Sequence, residues 1–413
     1  MHKFITKIDA TLQFTDKKVL IALDGKNLII TGGNGCGKTQ FLKQLFSAIN
    51  TSLDANRSRQ IIKLERNLFT FEAILQQPNL PEQDKSSHLH NLEQTKKQLS
   101  QHQENSDCIV TFDNYEYSVE KNTNKDLLLR MFEATRQYRS TNSNHNENIT
   151  VQSMQQNARQ QDLKVDLSGN FEAYLVTFLN AGYMAFALRQ DEEEKKRVDS
   201  WLANITSDLR HLFEDKSLEL EYREKEKIFY IKQDGKQPYK FSQLSSGYSS
   251  ILNVYVDLLM KTELRGINSK DLSGIVIIDE IDAHLHVSLQ KKILSFLDNS
   301  YPNIQFIVST HSPFVLQSVD NAVIYDLSKL EQLEDLSLYS YEAITKGLLG
   351  VSTNSDELIE ITDELSSLTT DIEKNQVKVN EIIIKLSSVE GKLDSKSRLA
   401  LIMAKQAIED LKG

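Results

Sequence analysis

Cysteine is scarce in this chain: Cys36 and Cys108 are the only two among 413 residues. Two thiols make at most one bridge, which excludes a disulfide framework or a cysteine-only zinc site built within one chain. Long apolar runs are scarce too. The longest uncharged one, AYLVTFLNAGYMAFAL at 173–188, contains Asn180 and Gly182 and falls short of the ~20 residues a spanning helix needs. It reads as a buried core or interface helix. The opening residues, MHKFITKIDATLQF, lack the apolar region of a secretory signal. Excess positive charge is also missing, since 48 Lys and Arg face 58 Asp and Glu for a net charge of −10. That balance disfavours a protein that coats DNA by bulk basicity and leaves room only for a local basic patch. A cytoplasmic protein with no membrane partner fits these absences.

Organisation is legible in composition shifts. Residues 1–51 alternate apolar runs with turn signals (FITKID, TLQF, KKVLIAL, KNLIITGG) and end in a helical pattern, KTQFLKQLFSAIN, giving strands and then a helix. Residues 52–105 turn rich in Gln, Asn, Lys, Glu and Ser, and PNLP at 78–81 interrupts them, which predicts an inserted hairpin of two helices. Residues 106–350 return to an alternating β/α pattern. SDCIVTFDNYEYSVE reads as two strands joined at Asp113–Asn114, and the polar segment from about 139 to 162 reads as a loop. Helix dominates 170–214, a strand pair comes next, and helices are expected over 246–262 and 287–297. In residues 351–413 the apolar positions Leu358, Ile361, Leu365, Leu368, Ile372, Val379, Ile382, Leu386, Val389 and Leu393, with Asn375, alternate spacings of three and four. That is about five heptads. The period fits a coiled coil or helical hairpin pairing with another chain, the alternative being a helix packed along its own domain.

GGNGCGKT at 32–39 matches G-x-x-x-x-G-K-[ST] between an apolar strand and a helix, the context a phosphate loop requires. Its glycines, Gly32, Gly35 and Gly37 among them, let backbone N–H groups of the stretch that includes Asn34, Cys36 and Gln40 turn toward the phosphates of ATP. Lys38 should reach the β- and γ-phosphates and the Thr39 hydroxyl should ligate Mg²⁺. GIVIIDE at 274–280 is a buried strand delivering two acids at its C-terminal end, where open α/β sheets bind ligands. Asp279 is assigned to the Mg²⁺ shell and Glu280 to polarising the attacking water. IQFIVST leads to His311, placed to hydrogen-bond a γ-phosphate and sense its loss. A strand ending in surface acids, or a structural histidine, would be the bland account of each motif alone.

LSSGYSS at 244–250 precedes an apolar helical run. One serine suffices for a cap; Ser245, Ser246 and Gly247 together offer hydroxyls, backbone N–H groups and a positive dipole end. A second phosphate clamp makes most sense completing the ATP site of another, head-to-tail protomer.

GGNGCGKT, LSSGYSS, IIDEIDAHLH and STHSPF, in this order, resemble ABC-class ATPases of the SMC-like and OLD-like branch. The resemblance covers the chain to about residue 350. It implies an α/β fold: an ABC-type P-loop ATPase head with a mixed sheet, here carrying a helical-hairpin insertion and a C-terminal helical or coiled-coil extension. It also implies two heads sandwiching two ATPs, with Ser246 and Gly247 meeting the γ-phosphate across the interface. LLRMFEATR resembles the A-x-R segment of OLD-like heads, which suggests that Arg136 faces nucleotide. A family glutamine linking Mg²⁺ to the partner is expected between the loop and the end of the insertion, with Gln76 and Gln77 as candidates. Tyr248 and Val287 depart from the family wording. The residues after about 350 read as helical and are expected not to form a Toprim nuclease. In that respect the chain is similar to the ATPase subunits of the Septu (including retron-associated) and PARIS anti-phage systems, whose effector, an HNH nuclease or a toxin, is a separate subunit. A slow ATPase with such a partner and a DNA or phage-derived trigger is therefore expected. An SMC-like ATPase acting directly on DNA in repair is the alternative; a transporter subunit and a scaffold without turnover fit less well.

Overall fold

The computed structural model describes residues 4–13, 15–76, 81–104, 107–140, 149–319, 321–333, 336, 339, 341–347 and 355–411. The chain divides into two compact units, Met1–Tyr339 and Ser340–Gly413.

The first unit begins with β1 (Ile5–Thr11) and β2 (Lys18–Ala22), an antiparallel pair, and continues into β3 (Asn27–Thr31), every residue of which is buried. α1 (Lys38–Ser52) comes directly after the glycine-rich loop. The insertion is a hairpin of α2 (Ala55–Leu75), capped by Asp54 accepting from the amides of Asn56 and Arg57, and α3 (Glu82–Glu104). β4 (Cys108–Phe112) then pairs with β1. The second strand expected after it is a helix instead, α4 (Tyr115–Thr123), because Asn114 accepts from the Tyr117 amide and starts it. The Asp-Asn pair acts as a helix cap rather than a hairpin turn.

β5 (Leu128–Phe132) leads to the polar segment expected as loop, of which residues 141–148 lie outside the described residues. Its second half forms α5 (Val151–Gln160), started by reciprocal hydrogen bonds between Thr150 and Ser153 and buried along Met154 and Ala158. α6 (Phe171–Arg189) and α7 (Glu192–Leu212) are joined through Gln190 in a left-handed conformation. Asp191 caps α7, and Glu192, Glu193 and Glu194 occupy its first turn, where negative charge suits the helix dipole. With the turn before it, the helical stretch Ser168–Arg189 reaches 22 residues and is long and apolar enough to cross a membrane by length and composition, contrary to the sequence count. One face nevertheless packs inward through Tyr174 and Phe178, whose rings lie 5.4 and 4.9 Å from that of Trp201 on α7.

β6 (Glu219–Arg223) and β7 (Ile228–Lys232) form the antiparallel pair. α8 (Ser246–Arg265) is buried along nearly its whole length and ends at Gly266, whose φ of 67° closes it. β8 (Gly274–Ile278), α9 (Val287–Gln290), α10 (Ile293–Ser300), β9 (Ile304–Ser309), α11 (Pro313–Leu316), β10 (Ala322–Asp326) and β11 (Glu331–Leu333) complete the unit. The single helix expected over 287–297 is thus two short ones, broken at Lys291–Lys292.

The main sheet has the order β11-β10-β3-β9-β8-β5. All pairs are parallel except β10 with β11, so it is a mixed sheet. Parallel strands buried on both faces read as continuous apolar runs, which is why NLIIT, GIVII and IQFIVS are so uniform. Their C-terminal ends share one edge, and the motif residues leave from it.

In the second unit, α12 (Tyr341–Gly347) precedes α13 (Asp356–Thr370), α14 (Ile372–Ser387) and α15 (Ser395–Asp410). The five heptads are divided between two helices. Asp371, at φ −127° and ψ 61°, separates them, after two threonines that disfavour helix. Ion pairs Lys378–Glu364 and Lys385–Glu357 are placed symmetrically about Asp371, so α14 folds back antiparallel on α13. The heptad residues Leu365, Val379, Ile382 and Leu386 then bury one another together with Leu401, Ala404 and Ile408 of α15. The period is real, but it packs a helix against its own unit. Asn375, the polar seam position, donates to the Asp371 carbonyl at 2.9 Å and serves the turn.

Candidate nucleotide-binding site

The phosphate loop is held open by two constraints at its ends. Gly32 has a φ of 137°, and a Cβ there would sit 2.7 Å from Ser328 Oγ. Gly37, at φ 97°, is the first cap of α1. Both require glycine. Ser328 comes after β10, where Asp326 fixes the turn by accepting from the Ser328 and Lys329 amides. Its hydroxyl accepts from the Gly33 amide at 2.8 Å. Lys38 is buried and donates to the carbonyls of Gly32 and Gly33 at 3.0 and 3.2 Å. Its ammonium therefore lies over the loop. Asn34 and Gly35 are exposed and Cys36 is half-buried. Gln40 donates to the Gln13 side chain.

Asp279, buried at the end of β8, receives the Thr39 hydroxyl on Oδ2 at 2.7 Å and the Ser309 hydroxyl on Oδ1 at 2.5 Å. Ser309 Oγ also accepts from the Glu280 amide at 2.7 Å. Glu280 has a φ of 45°, a left-handed conformation costly for a non-glycine residue and tolerated where the surroundings fix it; the Ser309 bond helps to do so. Thr310 donates to Asp282 at 2.5 Å. His311 is half-buried. Burial first, and the Lys38 charge second, hold its imidazole below the ordinary value, against the pull of Asp282, Glu280 and Asp279. Lys38, Thr39, Asp279, Glu280 and His311 thus belong to one site. Ser309, Thr310 and Ser328 were not identified from the sequence, although the hydroxyl pair before His311 in STHSP marked the same strand end.

Thr39 and Asp279 offer hard oxygen donors side by side, which fits Mg²⁺. That ion takes one or two protein oxygens and completes its shell with phosphate and water. No group of three or more His, Cys, Asp or Glu able to hold a metal occurs among the described residues, as expected if most Mg²⁺ ligands arrive with nucleotide.

The second serine motif sits elsewhere. Ser245 caps α8 by position, yet its side chain makes no capping hydrogen bond, and Ser245 and Ser246 are exposed. Gly247 is buried against the His284 carbonyl, where a Cβ would collide with backbone. The Tyr248 ring packs tilted against that of Phe213, 4.6 Å between centroids, and its hydroxyl donates to the Phe213 carbonyl. This departure from the family wording is therefore packing. Val287 opens α9 on the surface.

Residues 133–140 bridge the two places. Glu133 pairs with Lys43 of α1 at 3.3 Å. Arg136 donates to the carbonyls of Glu133, Asp279 and Glu280 at 3.0, 2.7 and 3.2 Å. The Tyr138 amide reaches Ser249 Oγ of α8 at 3.0 Å. Arg136 is therefore tied beneath the turn carrying the two acids, and burial lowers its guanidinium from the ordinary value to about 10. Gln76 closes α2 at the far end of the hairpin, about 30 Å of helix from its base, and Gln77 lies outside the described residues. The glutamine that leaves the strand beside β8 is Gln137.

A mostly parallel sheet delivering a phosphate loop, an Asp–Glu pair and a strand-end histidine to one edge, with a serine-glycine helix start set apart, defines an ABC-type ATPase head. The chain belongs to the family described as "AAA domain, putative AbiEii toxin, Type IV TA system", which matches residues 28–317. It is similar to "Retron Ec83 probable ATPase" of Escherichia coli, 44% identical over 86 residues, which are 20% of this chain and 16% of that one. It is also similar to "Septu protein PtuA" of Bacillus thuringiensis, 32% identical over 167 residues, which are 35% of this chain and 41% of that one. The chain thus spans less than half the length of these relatives. An SMC head bound to the C-winged helix domain of ScpA superposes with a TM-score of 0.35 at 12% identity, covering 80% of this chain and 96% of that one. The fold assignment rests on the sheet order of the chain itself.

Proposed function

We propose that this chain is the ATP-hydrolysing subunit of an anti-phage defence complex, in which two heads close head-to-tail around ATP and control a separate nuclease or toxin subunit. The observation that carries the chemistry is Asp279 clamped between Thr39 and Ser309. It fixes one carboxylate for metal and leaves Glu280, on the same strained turn, for the water. Bound Mg²⁺ would neutralise phosphate charge between Thr39 and Asp279. Lys38 leaves the Gly32 and Gly33 carbonyls for the β- and γ-phosphates, Glu280 orients and polarises the attacking water, and a neutral His311 reads the γ-phosphate. Gln137 is the loop glutamine in this reading. Ser245, Ser246 and Gly247 serve the ATP of a second copy, because Gly247 packs on the His284 carbonyl while Ser245 and Ser246 are exposed and the Ser245 hydroxyl makes no capping bond. The defence role is supported by the Septu and retron relatives.

The test is a pull-down of full-length Glu280→Gln chain from its native host with ATP and Mg²⁺, read by mass spectrometry and native mass. A stoichiometric nuclease or toxin bound to an ATP-dependent oligomer is expected. Recovery of DNA and repair proteins alone would overturn the defence reading in favour of a DNA-handling ATPase, whose affinity should fall steeply with salt.

A further inference from the structure

A cavity of about 620 Å³ runs along residues 130–139 to the start of α8, and its walls include Arg130, Arg136, Arg139, Asp166, Ser246 and His284. Three guanidiniums on one wall call for an account of each charge. Arg130 is matched by Asp166 at 2.6 Å and Asp257 at 3.0 Å. Arg136 gives its terminal nitrogens to backbone carbonyls, while its Nε is buried and has no partner. Glu133, on the same wall, is paired with Lys43. Arg139 is exposed. Its base is fixed, because the Tyr138 amide just before it bonds both the hydroxyl and the carbonyl of Ser249, at 3.0 and 3.3 Å. Ser249 lies one turn after Ser246, so the Arg139 backbone is held beside the exposed serine and the positive end of α8.

A helix start, an arginine anchored next to it and the unpartnered Nε of the buried Arg136 on the same cavity wall together suit a multiply charged anion. We propose that Arg139 acts with Ser246 on the terminal phosphate of an ATP held in the phosphate loop of a second copy. Arg139 is then a catalytic residue of the neighbouring site, stabilising charge that develops on the phosphoryl oxygens as the bond to the leaving ADP lengthens. It does not serve its own phosphate loop, where Lys38 already stands. The proposal rests on the head-to-tail reading of Ser246.

The experiment uses full-length Arg139→Ala, Ser246→Arg and Lys38→Ala chains, each alone and in pairwise mixtures. Arg139→Ala should bind a fluorescent ATP analogue like the parent, yet lose on the order of 100-fold in turnover, with Arg139→Lys intermediate. Mixing Arg139→Ala with Lys38→Ala should restore about a quarter of parental activity for a statistically mixed dimer, since half the dimers carry one complete site. Ser246→Arg mixed with Lys38→Ala serves as the reference. If that reference pair recovers while Arg139→Ala either keeps full turnover alone or is not rescued by Lys38→Ala, Arg139 has no role in trans and the proposal fails by itself. If the reference pair does not recover, the head-to-tail reading fails and takes the proposal with it.

Discussion

Replacing Ser309 by alanine isolates the bond that orders the acidic turn. The Ser309 hydroxyl is buried and used twice, donating to Asp279 Oδ1 at 2.5 Å and accepting from the Glu280 amide at 2.7 Å. Alanine removes the hydroxyl, leaves both of its partners, the Asp279 oxygen and the Glu280 amide, in place, and inserts no new contact. A buried donor or acceptor left unsatisfied costs ~1–3 kcal/mol, with more for a charged group. The expected loss is therefore ~3 kcal/mol of unfolding free energy, spread over a carboxylate oxygen and an amide. Function should suffer more specifically than stability. Asp279 keeps only the Thr39 hydroxyl to orient it, and Glu280 loses a restraint on its φ of 45°. The Mg²⁺ concentration giving half-maximal ATPase should rise, and turnover at saturating Mg²⁺ should fall at least tenfold, the equivalent of ~1.4 kcal/mol. Urea unfolding followed by fluorescence, with a Mg²⁺ titration of ATP turnover, measures both. A Ser309→Ala chain with parental Mg²⁺ dependence and parental turnover would refute the argument, whatever its stability.

Three further outcomes are expected. His311 is held below the ordinary imidazole value of 6.5, mainly by burial; a depressed base favours the neutral folded form, so its contribution to stability is present above 6.5 and is lost as pH falls below it. Acid unfolding profiles of His311→Gln should therefore be flatter than the parent's as pH falls below 6.5. Gly247→Ala drives a methyl into the His284 carbonyl and should abolish ATPase while ATP-analogue binding at Lys38 persists, read by fluorescence anisotropy. Leu365→Ala, at a fully buried position of the second unit, should cost ~2–5 kcal/mol and deprotect amides of residues 356–410 in hydrogen exchange, leaving those of β3 and β8 unchanged.

The site was legible where backbone and chemistry are encoded together in a short window. GGNGCGKT specifies a loop conformation, and GIVIIDE specifies a buried strand whose acids must emerge at its end. What sequence could not supply were partners brought by topology. Ser309 meets Asp279 because β9 lies next to β8, and Ser328 meets Gly33 because β10 lies next to β3. Gln137, the loop glutamine of the proposed function, comes after the strand beside β8, beyond the stretch between the loop and the insertion in which that glutamine was expected. Capping chemistry was misread at Asn114, where a turn signal starts a helix. At the C-terminal end the seven-residue period and the hairpin were legible, and the position of the turn at Asp371 was not. A seven-residue period states that a face is apolar, and one residue, Asp371, decided that the face would meet itself.

The same topology explains why the acidic turn and the serine helix form one mechanical unit, through a buried ionic cluster that can be tested directly. Asp257 of α8 is fully buried and accepts from Lys261 Nζ at 2.7 Å, the Leu167 amide at 2.7 Å and Arg130 Nε of β5 at 3.0 Å. Arg130 precedes the loop whose Arg136 supports Asp279 and Glu280, so α8 and β5 are joined both here and at Tyr138–Ser249. Lys261 is itself fully buried, and burial lowers its ammonium despite the Asp257 charge. Asp257→Asn keeps the shape and removes that charge, leaving Lys261 without its closest counter-ion. Breaking one side of a buried pair costs ~3–5 kcal/mol. The sign of its pH dependence is set by Lys261. A lysine depressed in the folded state is relieved by losing its proton, so the stability of Asp257→Asn should recover as pH rises toward 10.5, the ordinary lysine value. Asp257→Asn combined with Lys261→Met removes both charges and should regain most of the loss. If the double variant is no more stable than the single one, the cost lies in the Arg130 and Leu167 contacts, and the cluster holds α8 by hydrogen bonding rather than by charge.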